Sequence, residues 1–407
     1  MTPLSRTAIV MSRLPQRILP DSSWLLGLRA ALRRVRDRGE RLLVGEGTAG
    51  SDFVKRGAQL LHIDWNTSPV QGHDPDLANS ELFDIAKVPG HDRALAEHAG
   101  AIMALGIRFN GHWHRLLRDR LKRDLGSVIL VDLPELIGPT VKAELLNCGA
   151  SLWLPPSRMT RPLVDKSAFH PPLDQRPPSA ASCSITELAP FPSEFGWAYF
   201  SHSTRACAGP WPEQSTEDYL DSLLQSRSDA DHSALATLER IVVQRRLISA
   251  KRTARGGRRV VSLTASRLSE LPRMRCFRHH RLRWDFEPYG LCISRAWLEH
   301  RGARRVHYGN ANLWKTLTEA DQPFFQPSPS VQASAEARRS SIDWSEEREW
   351  RHLGDVDLSQ LSRDDGLVFV PNFQAAQRLS AISPWPITLW PDPSIDVPPR
   401  CFDSIVG

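Results

Sequence analysis

The sequence predicts an α/β fold followed by an α+β fold. A Rossmann-like, doubly wound parallel sheet is expected over residues 1–160, a proline-rich linker over 161–195, and a smaller mixed-sheet domain over 196–395. Three observations predict this. Short apolar strands alternate with helix-spaced segments in the first part. Nine prolines between positions 155 and 192 interrupt any regular element. After Trp197, short runs of β-branched and aromatic residues are separated by single helices or turns.

The elements follow in order. Thr7-Ala8-Ile9-Val10-Met11 reads as a buried strand. Asp21-Ser22-Ser23 precedes a helix from Trp24 to Arg38, whose Leu25, Leu28, Leu32 and Val35 recur at helical spacing. Arg41–Val44 is a second strand and leads at once into Gly45-Glu46-Gly47-Thr48-Ala49-Gly50-Ser51-Asp52. After a short helix, Gln59–Asp64 reads as a third strand. Val128–Asp132 and Ser151–Leu154 read as two more, joined by a helix from Pro139 that ends at Cys148-Gly149. In the second domain, strands are expected at 199–202, 259–264, 289–293, 305–308, 349–352, 367–370 and 387–390, with helices at 214–226 and 231–246. Residues 327–341 read as a surface loop.

Composition narrows the function. The 407 residues are 41% hydrophobic and 24% charged, which suits a sizeable core and excludes global disorder. No apolar run is long enough for a membrane span, and no secretory stretch follows the first residues, so no membrane partner is expected. Six scattered cysteines without a C-x-x-C pair argue against a disulfide scaffold or zinc knuckle and suit a cytoplasmic location. Net charge is +6, with only seven lysines among the 52 basic residues. The basic residues concentrate between Arg240 and Arg283, where thirteen arginines and Lys251 face one acid, Glu270.

Gly45-x-Gly47-x-x-Gly50 lies between a strand and a helix, where glycines let a backbone approach a phosphate. Gly45, Gly47 and Gly50 are therefore candidate nucleotide contacts, and Asp64 a candidate ribose contact. A tight turn without ligand satisfies the same residues. The strand, helix, glycine loop, helix, strand series resembles the SLOG superfamily over about residues 5–155. That resemblance implies nucleotide binding, or cleavage of a nucleotide N-glycosidic bond with Glu46 or Asp52 involved. Arg108, Asn110 and His114 are further polar candidates at a helix start.

The second domain carries four signals. Ser201-His202-Ser203-Thr204-Arg205 leads a strand into a turn. Val261-Ser262-Leu263-Thr264 puts two hydroxyls on one strand face. Arg283-Trp284-Asp285-Phe286-Glu287-Pro288-Tyr289-Gly290 approaches a strand with aromatic and charged groups. In Trp344-Ser345-Glu346-Glu347-Arg348-Glu349-Trp350-Arg351, an alternating strand would put Glu347, Glu349 and Arg351 on one face. An early His can bond a ribose or amide, a middle Ser or Thr can support it, and a late Glu can stabilise a developing oxocarbenium ion. That order of His, Ser/Thr and Glu is the order of ADP-ribosyltransferases. His202, Thr204, Ser262, Thr264, Glu347 and Glu349 are thus candidate catalytic residues, and Arg205 and Tyr289 candidate contacts for NAD. The same tryptophans read equally as core, and the same charges as a solvated strand face.

These motifs, together with Trp297 and Val306-His307-Tyr308, also resemble the AbiGi-type family of abortive-infection proteins over residues 199–372. The resemblance implies a phage-defence or toxin-like effector, distantly similar to DNA-modifying ADP-ribosyltransferases, with NAD as substrate. The alternative is a non-catalytic protein that senses nucleotides or nucleic acid. Arg252, Arg255, Arg258 and Arg259 flank Gly256-Gly257 and are candidate contacts for DNA or RNA, or else a charged hairpin edge. No Walker loop, G-x-S-x-G or H-E-x-x-H is present, and no metal is expected.

Overall fold

The computed structural model describes residues 6–15, 18–68, 90–133, 135–163, 188–190, 196–250, 257–278, 283–327 and 347–391. Its contacts divide the chain into two units. The first comprises Met1–Pro171 and Ala208–Asp231, the second Pro172–Cys207 and His232–Gly407. Most of the expected linker lies outside the described residues.

The first unit alternates strictly: β1 (Arg6–Val10), α1 (Ser23–Asp37), β2 (Arg41–Val44), α2 (Ser51–Leu60), β3 (Trp65–Thr67), α3 (Gly90–His98), β4 (Ala101–Ala104), α4 (His112–Lys122), β5 (Ser127–Val131), α5 (Pro139–Asn147), β6 (Ser151–Trp153) and α6 (Ser157–Thr160). The six strands form one all-parallel sheet in the order β3-β2-β1-β4-β5-β6. Residues of β1, with Met11 just after it, alternate between two cores. Ile9 and Met11 pack with Leu25, Leu28 and Phe53 from α1 and α2. Ala8 and Val10 pack with Leu95, Trp113 and Leu145 from α3, α4 and α5. Helices thus cover both faces, as a doubly wound parallel sheet requires.

Two elements differ from the expectation. Gln59 and Leu60 are the last residues of α2, because Phe53, Val54, Gly57 and Ala58 form a continuous buried helical stripe. His62 turns the chain through a left-handed conformation (φ 55°), and β3 starts only at Trp65. The expected strand at 59–64 is therefore the end of a helix and a turn. Conversely, β4 was not legible: Ala101-Ile102-Met103-Ala104 is too short and too alanine-rich to signal a strand, yet it sits beside β1 at the centre of the sheet.

The helix α7 (Thr216–Gln225), placed with the second domain on sequence grounds, packs in the first unit. Leu220, Leu223 and Leu224 join the α1–α2 core. Arg29, only 1% exposed, donates to Leu224 O (3.0 Å), Leu223 O and Ser226 Oγ (2.7 Å), meeting the negative end of α7 with a cation. Burial pulls its pKa down to about 10. Arg56 forks Asp221 at 2.6 and 2.7 Å.

The second unit contains β7 (Tyr199–Ser203), α8 (Ala234–Gln244), β8 (Arg246–Leu247), β9 (Val260–Thr264), α9 (Leu271–Met274), β10 (Cys276–Arg278), β11 (Arg283–Asp285), β12 (Gly290–Ser294), α10 (Arg295–His300), β13 (Arg304–Arg305), β14 (His307–Gly309), α11 (Ala311–Thr316), β15 (Phe325–Pro327), β16 (Glu349–Leu353), β17 (Val356–Asp357), β18 (Gly366–Val370), α12 (Phe373–Ser380) and β19 (Ile387–Leu389). Seven strands form a mixed sheet in the order β13-β16-β9-β7-β12-β18-β19, antiparallel except for the β18–β19 pair. One face carries Phe200, Val261, Leu263, Leu291, Ile293 and Val368 into a core with α8 and α12. The other carries Cys292, Leu367 and Phe369 against Leu268, Leu271 and Trp390.

Candidate functional site

The mixed sheet is not continuous. β7 pairs with β12 along all five of its residues but meets β9 only at Ser201–Thr264. Beyond that point the first residue of β9, Val260, pairs with Ala250 instead, with backbone bonds of 3.0 and 3.2 Å. The sheet therefore opens between His202-Ser203-Thr204 and Ser262, and this opening organises the candidate site.

His202 sits at the opening. Its Nδ1 lies 2.9 Å from the Ser262 carbonyl oxygen. A carbonyl only accepts, so Nδ1 carries the proton and neutral imidazole presents Nε2 as an acceptor. Burial pushes the imidazole pKa below its ordinary value, and the nearby Arg205 charge adds to this, while the bond to Ser262 opposes it. The hydroxyls of Ser203 and Ser262 are buried and have no hydrogen-bond partner. Had the ladder continued, these two serines would have faced each other across β7 and β9.

Glu349 is two strands away, in one cross-strand row with Thr264 and Ser201. Directly opposed residues share a face of the sheet. His202, one residue on from Ser201, alternates to the other face, so the register puts imidazole and carboxylate on different faces of the sheet, and the His202 side chain itself spans the break to Ser262. Arg351, 1% exposed, fixes the carboxylate. Its Nε and one terminal nitrogen donate to Glu349 Oε1 and Oε2 at 2.9 and 3.0 Å. The remaining donors go to Pro323 O (3.0 Å), Phe325 O (2.9 Å) and Gln326 Oε1 (2.6 Å). All five guanidinium N–H groups are thereby placed. The Glu349 N–H donates to Tyr308 Oη at 3.0 Å, and burial pushes that phenol up to about 12.

The other candidates fall into distinct roles. Thr204, 2% exposed, has its hydroxyl 2.9 Å from Ala234 O and 3.2 Å from Tyr289 O, and so ties the end of β7 to the start of α8. Tyr289 contributes its carbonyl there and packs its ring on the core. Thr264 donates to Glu347 O at 2.6 Å and accepts from Ser266 N at 3.0 Å. Arg348 is left-handed (φ 44°), and β16 starts at Glu349, so the expected alternation does not reach back to Glu347. Arg205, with 40% of its side chain exposed, stands 3.5 Å from Asp285, and its Nε is buried without a partner. Of the basic turn, Arg252 and Arg255 lie outside the described residues. Arg259 bonds Ser249 (3.2 and 2.9 Å), and exposed Arg258 pairs with Glu319 at 2.6 Å.

The glycine loop of the first unit is explained by packing. A Cβ at Gly45 would stand 2.7 Å from Thr48 Cγ2 and 2.9 Å from Leu95 Cδ1, and at Gly50 2.5 Å from Met11 Sδ. Gly47 has φ 75°, and a Cβ there would meet only His91 Cε1, at 4.0 Å. The loop also follows β2, whereas in this strand order the dinucleotide-binding turn follows the first strand. Glu46 pairs with Lys55 at 3.1 Å. Asp64 lies before β3 on an exposed turn, 3.5 Å from Arg41.

Sequence reasoning named Ser203, Tyr308 and Arg351 only within motifs and did not offer them as catalytic or binding residues. The alternation Ser201-His202-Ser203 and the i, i+2 spacing of Glu349 and Arg351 are the signals that mark two of them. Among the described residues no group of three or more His, Cys, Asp or Glu side chains is placed to hold a metal ion. Among them, too, no helix is long and apolar enough to cross a membrane. No protein-family model, no curated protein and no solved structure matches this chain.

Proposed function

We propose that the opening between β7 and β9 binds NAD and that the second unit transfers its ADP-ribosyl group to a macromolecule, with nucleic acid the first acceptor to test. The observation that carries this reading is the set of unfilled groups at the opening. His202 Nε2 is an acceptor, the Ser203 and Ser262 hydroxyls are buried and partnerless, and Glu349 is clamped on the neighbouring strand pair. Buried polar groups without partners call for an explanation, and a ribose or carboxamide would satisfy them. His202 Nε2 accepts from a ribose hydroxyl. Glu349 accepts from the 2′-hydroxyl of the nicotinamide ribose and stabilises positive charge at C1′. The C1′–N1 bond breaks with its electron pair going to nicotinamide, neutralising the pyridinium. A nucleophilic oxygen or nitrogen of the acceptor forms the new bond to C1′ and releases its proton. Arg205 supplies positive charge for the pyrophosphate. Thr204 and Thr264 hold the two strand ends.

This reading fits the toxin-like or phage-defence effector implied by the AbiGi-type resemblance. The test is incubation of the full chain with NAD labelled in its adenylate phosphate, together with DNA, RNA and protein. Nicotinamide release and label transfer are the expected results, and Glu349→Gln should slow both by about a hundredfold or more. Absence of nicotinamide release from the unaltered protein, or an unchanged rate in both Glu349→Gln and His202→Ala, would overturn it. NAD binding without release would favour the sensing alternative.

A further inference from the structure

Three arginines are only 1% exposed: Arg29, Arg120 and Arg351. Arg351 is paired with a carboxylate, and Arg29 spends its donors on the end of α7. Arg120, in the last turn of α4, is the one of these three that keeps a buried donor, Nε, without a partner. Its terminal nitrogens donate to Ala96 O (2.6 Å), Ala99 O (2.7 Å) and Gly100 O (3.0 Å), at the carboxyl end of α3 and the approach to β4. The chain makes room for this guanidinium. Gly126 has φ 129°, and a Cβ there would collide with Arg120 Nη2 and Gly100 O. Among the described residues no acidic side chain pairs with Arg120. Burial lowers its pKa, and no neighbouring charge opposes that shift.

This buried cation lines a crevice between α3 and α4. Arg93 and Glu97 of α3 and Asp119 and Arg123 of α4 line it too. Asp119 is already taken by Arg123 at 3.1 Å, so three guanidiniums stand against two carboxylates, one of them neutralised. The enclosed part has room for about one water-sized group. The crevice lies at the amino ends of β4 and β5, on the edge of the sheet opposite the glycine loop. A cation buried without a counter-ion is costly, and carbonyl dipoles offset only part of that cost. A water would satisfy the orphan N–H but not the charge.

We propose that the crevice between α3 and α4 binds one small monovalent anion, of the size of chloride, on Arg120 Nε, with Arg93 as the second cation. The charge-assisted bond to Nε completes the guanidinium. Because the crevice exists only when α3 and α4 are packed, the anion binds the folded first unit and stabilises it by mass action. The site is independent of the NAD reading of the second unit.

The test is thermal melting of the full chain in sodium chloride and in sodium gluconate at equal ionic strength. Above an onset concentration the midpoint should rise with the logarithm of chloride and not of gluconate. Arg93→Gln, a half-buried position on a helix, should shift that onset about fivefold higher. Arg120→Met should abolish the difference between the salts, and His202→Ala should leave it unchanged. Bromide soaked into crystals should give an anomalous peak beside Arg120 Nε. Equal midpoints in the two salts at every concentration would overturn the assignment. So would a chloride effect that survives both Arg93→Gln and Arg120→Met unaltered. A bromide peak with no chloride effect in solution would mean an adventitious ion only, and would overturn it as well. Should Arg120→Met fail to fold, Arg93→Gln and the anomalous map still decide.

Discussion

Replacement of Arg351 by methionine should be among the most damaging single changes in the second unit. Its guanidinium is 1% exposed and holds a carboxylate on its own strand together with two carbonyls and a side-chain amide of the 323–326 segment. The partner Glu349 has a side chain only 12% exposed. Deleting one member of such a buried pair leaves an uncompensated charge and costs about 3–5 kcal/mol. At about 2–4 °C per kcal/mol for a domain of this size, the unit should melt roughly 6–20 °C lower. Replacing both partners with apolar residues of similar shape, Glu349→Leu with Arg351→Met, should recover much of the loss, because the charge is no longer stranded. Urea denaturation of the four proteins, followed by hydrogen exchange of β9 and β16, measures this. A single-variant cost below about 1 kcal/mol would refute the reasoning. So would a double variant less stable than Arg351→Met.

Three further outcomes are expected. His114 is buried in its neutral form and burial lowers its pKa, so the unfolded chain binds its proton first. Its contribution is complete above the ordinary pKa of about 6.5 and is lost as pH falls below it; urea midpoints between pH 7 and pH 5 should fall less in His114→Gln than in the unaltered protein. Gly50→Ala should destabilise the first unit by about 1–3 kcal/mol through the clash with Met11 and the left-handed backbone, and Gly47→Ala by only about 1 kcal/mol, as read from denaturation curves. Arg29→Met should remove the buried cation at the end of α7 at a cost of at least about 2 kcal/mol, and limited proteolysis should then cut within 208–231 first.

Periodicity made the parallel sheet legible where strands were long and apolar, as at Ser127–Val131, and failed where context decides. Gln59-Leu60-Leu61 has the composition of a strand but completes the buried stripe of α2. Ala101–Ala104 has the composition of a helix but fills the central slot beside β1. The candidate residues His202, Ser262 and Glu349 were visible as residue types on successive strands, and the register brings their strands together. What no local pattern could show is the break between β7 and β9, which depends on Ala250 taking the place of a strand neighbour. Thr204 and Thr264 look like ligands in sequence because a hydroxyl at a strand end serves a turn and a substrate alike. Only their partners, Ala234 O and Glu347 O, distinguish the two.

The discontinuous first unit has a consequence for biosynthesis. A nascent chain released from the ribosome as far as position 171 would lack α7, and Arg29 would be left without the carbonyls it neutralises. Residues 172–207, including β7, must therefore leave the exit tunnel before the N-terminal unit can finish folding. Expression of a fragment ending near position 160 should yield an incomplete, protease-sensitive product, whereas one extended through Asp231 would contain every segment that unit needs.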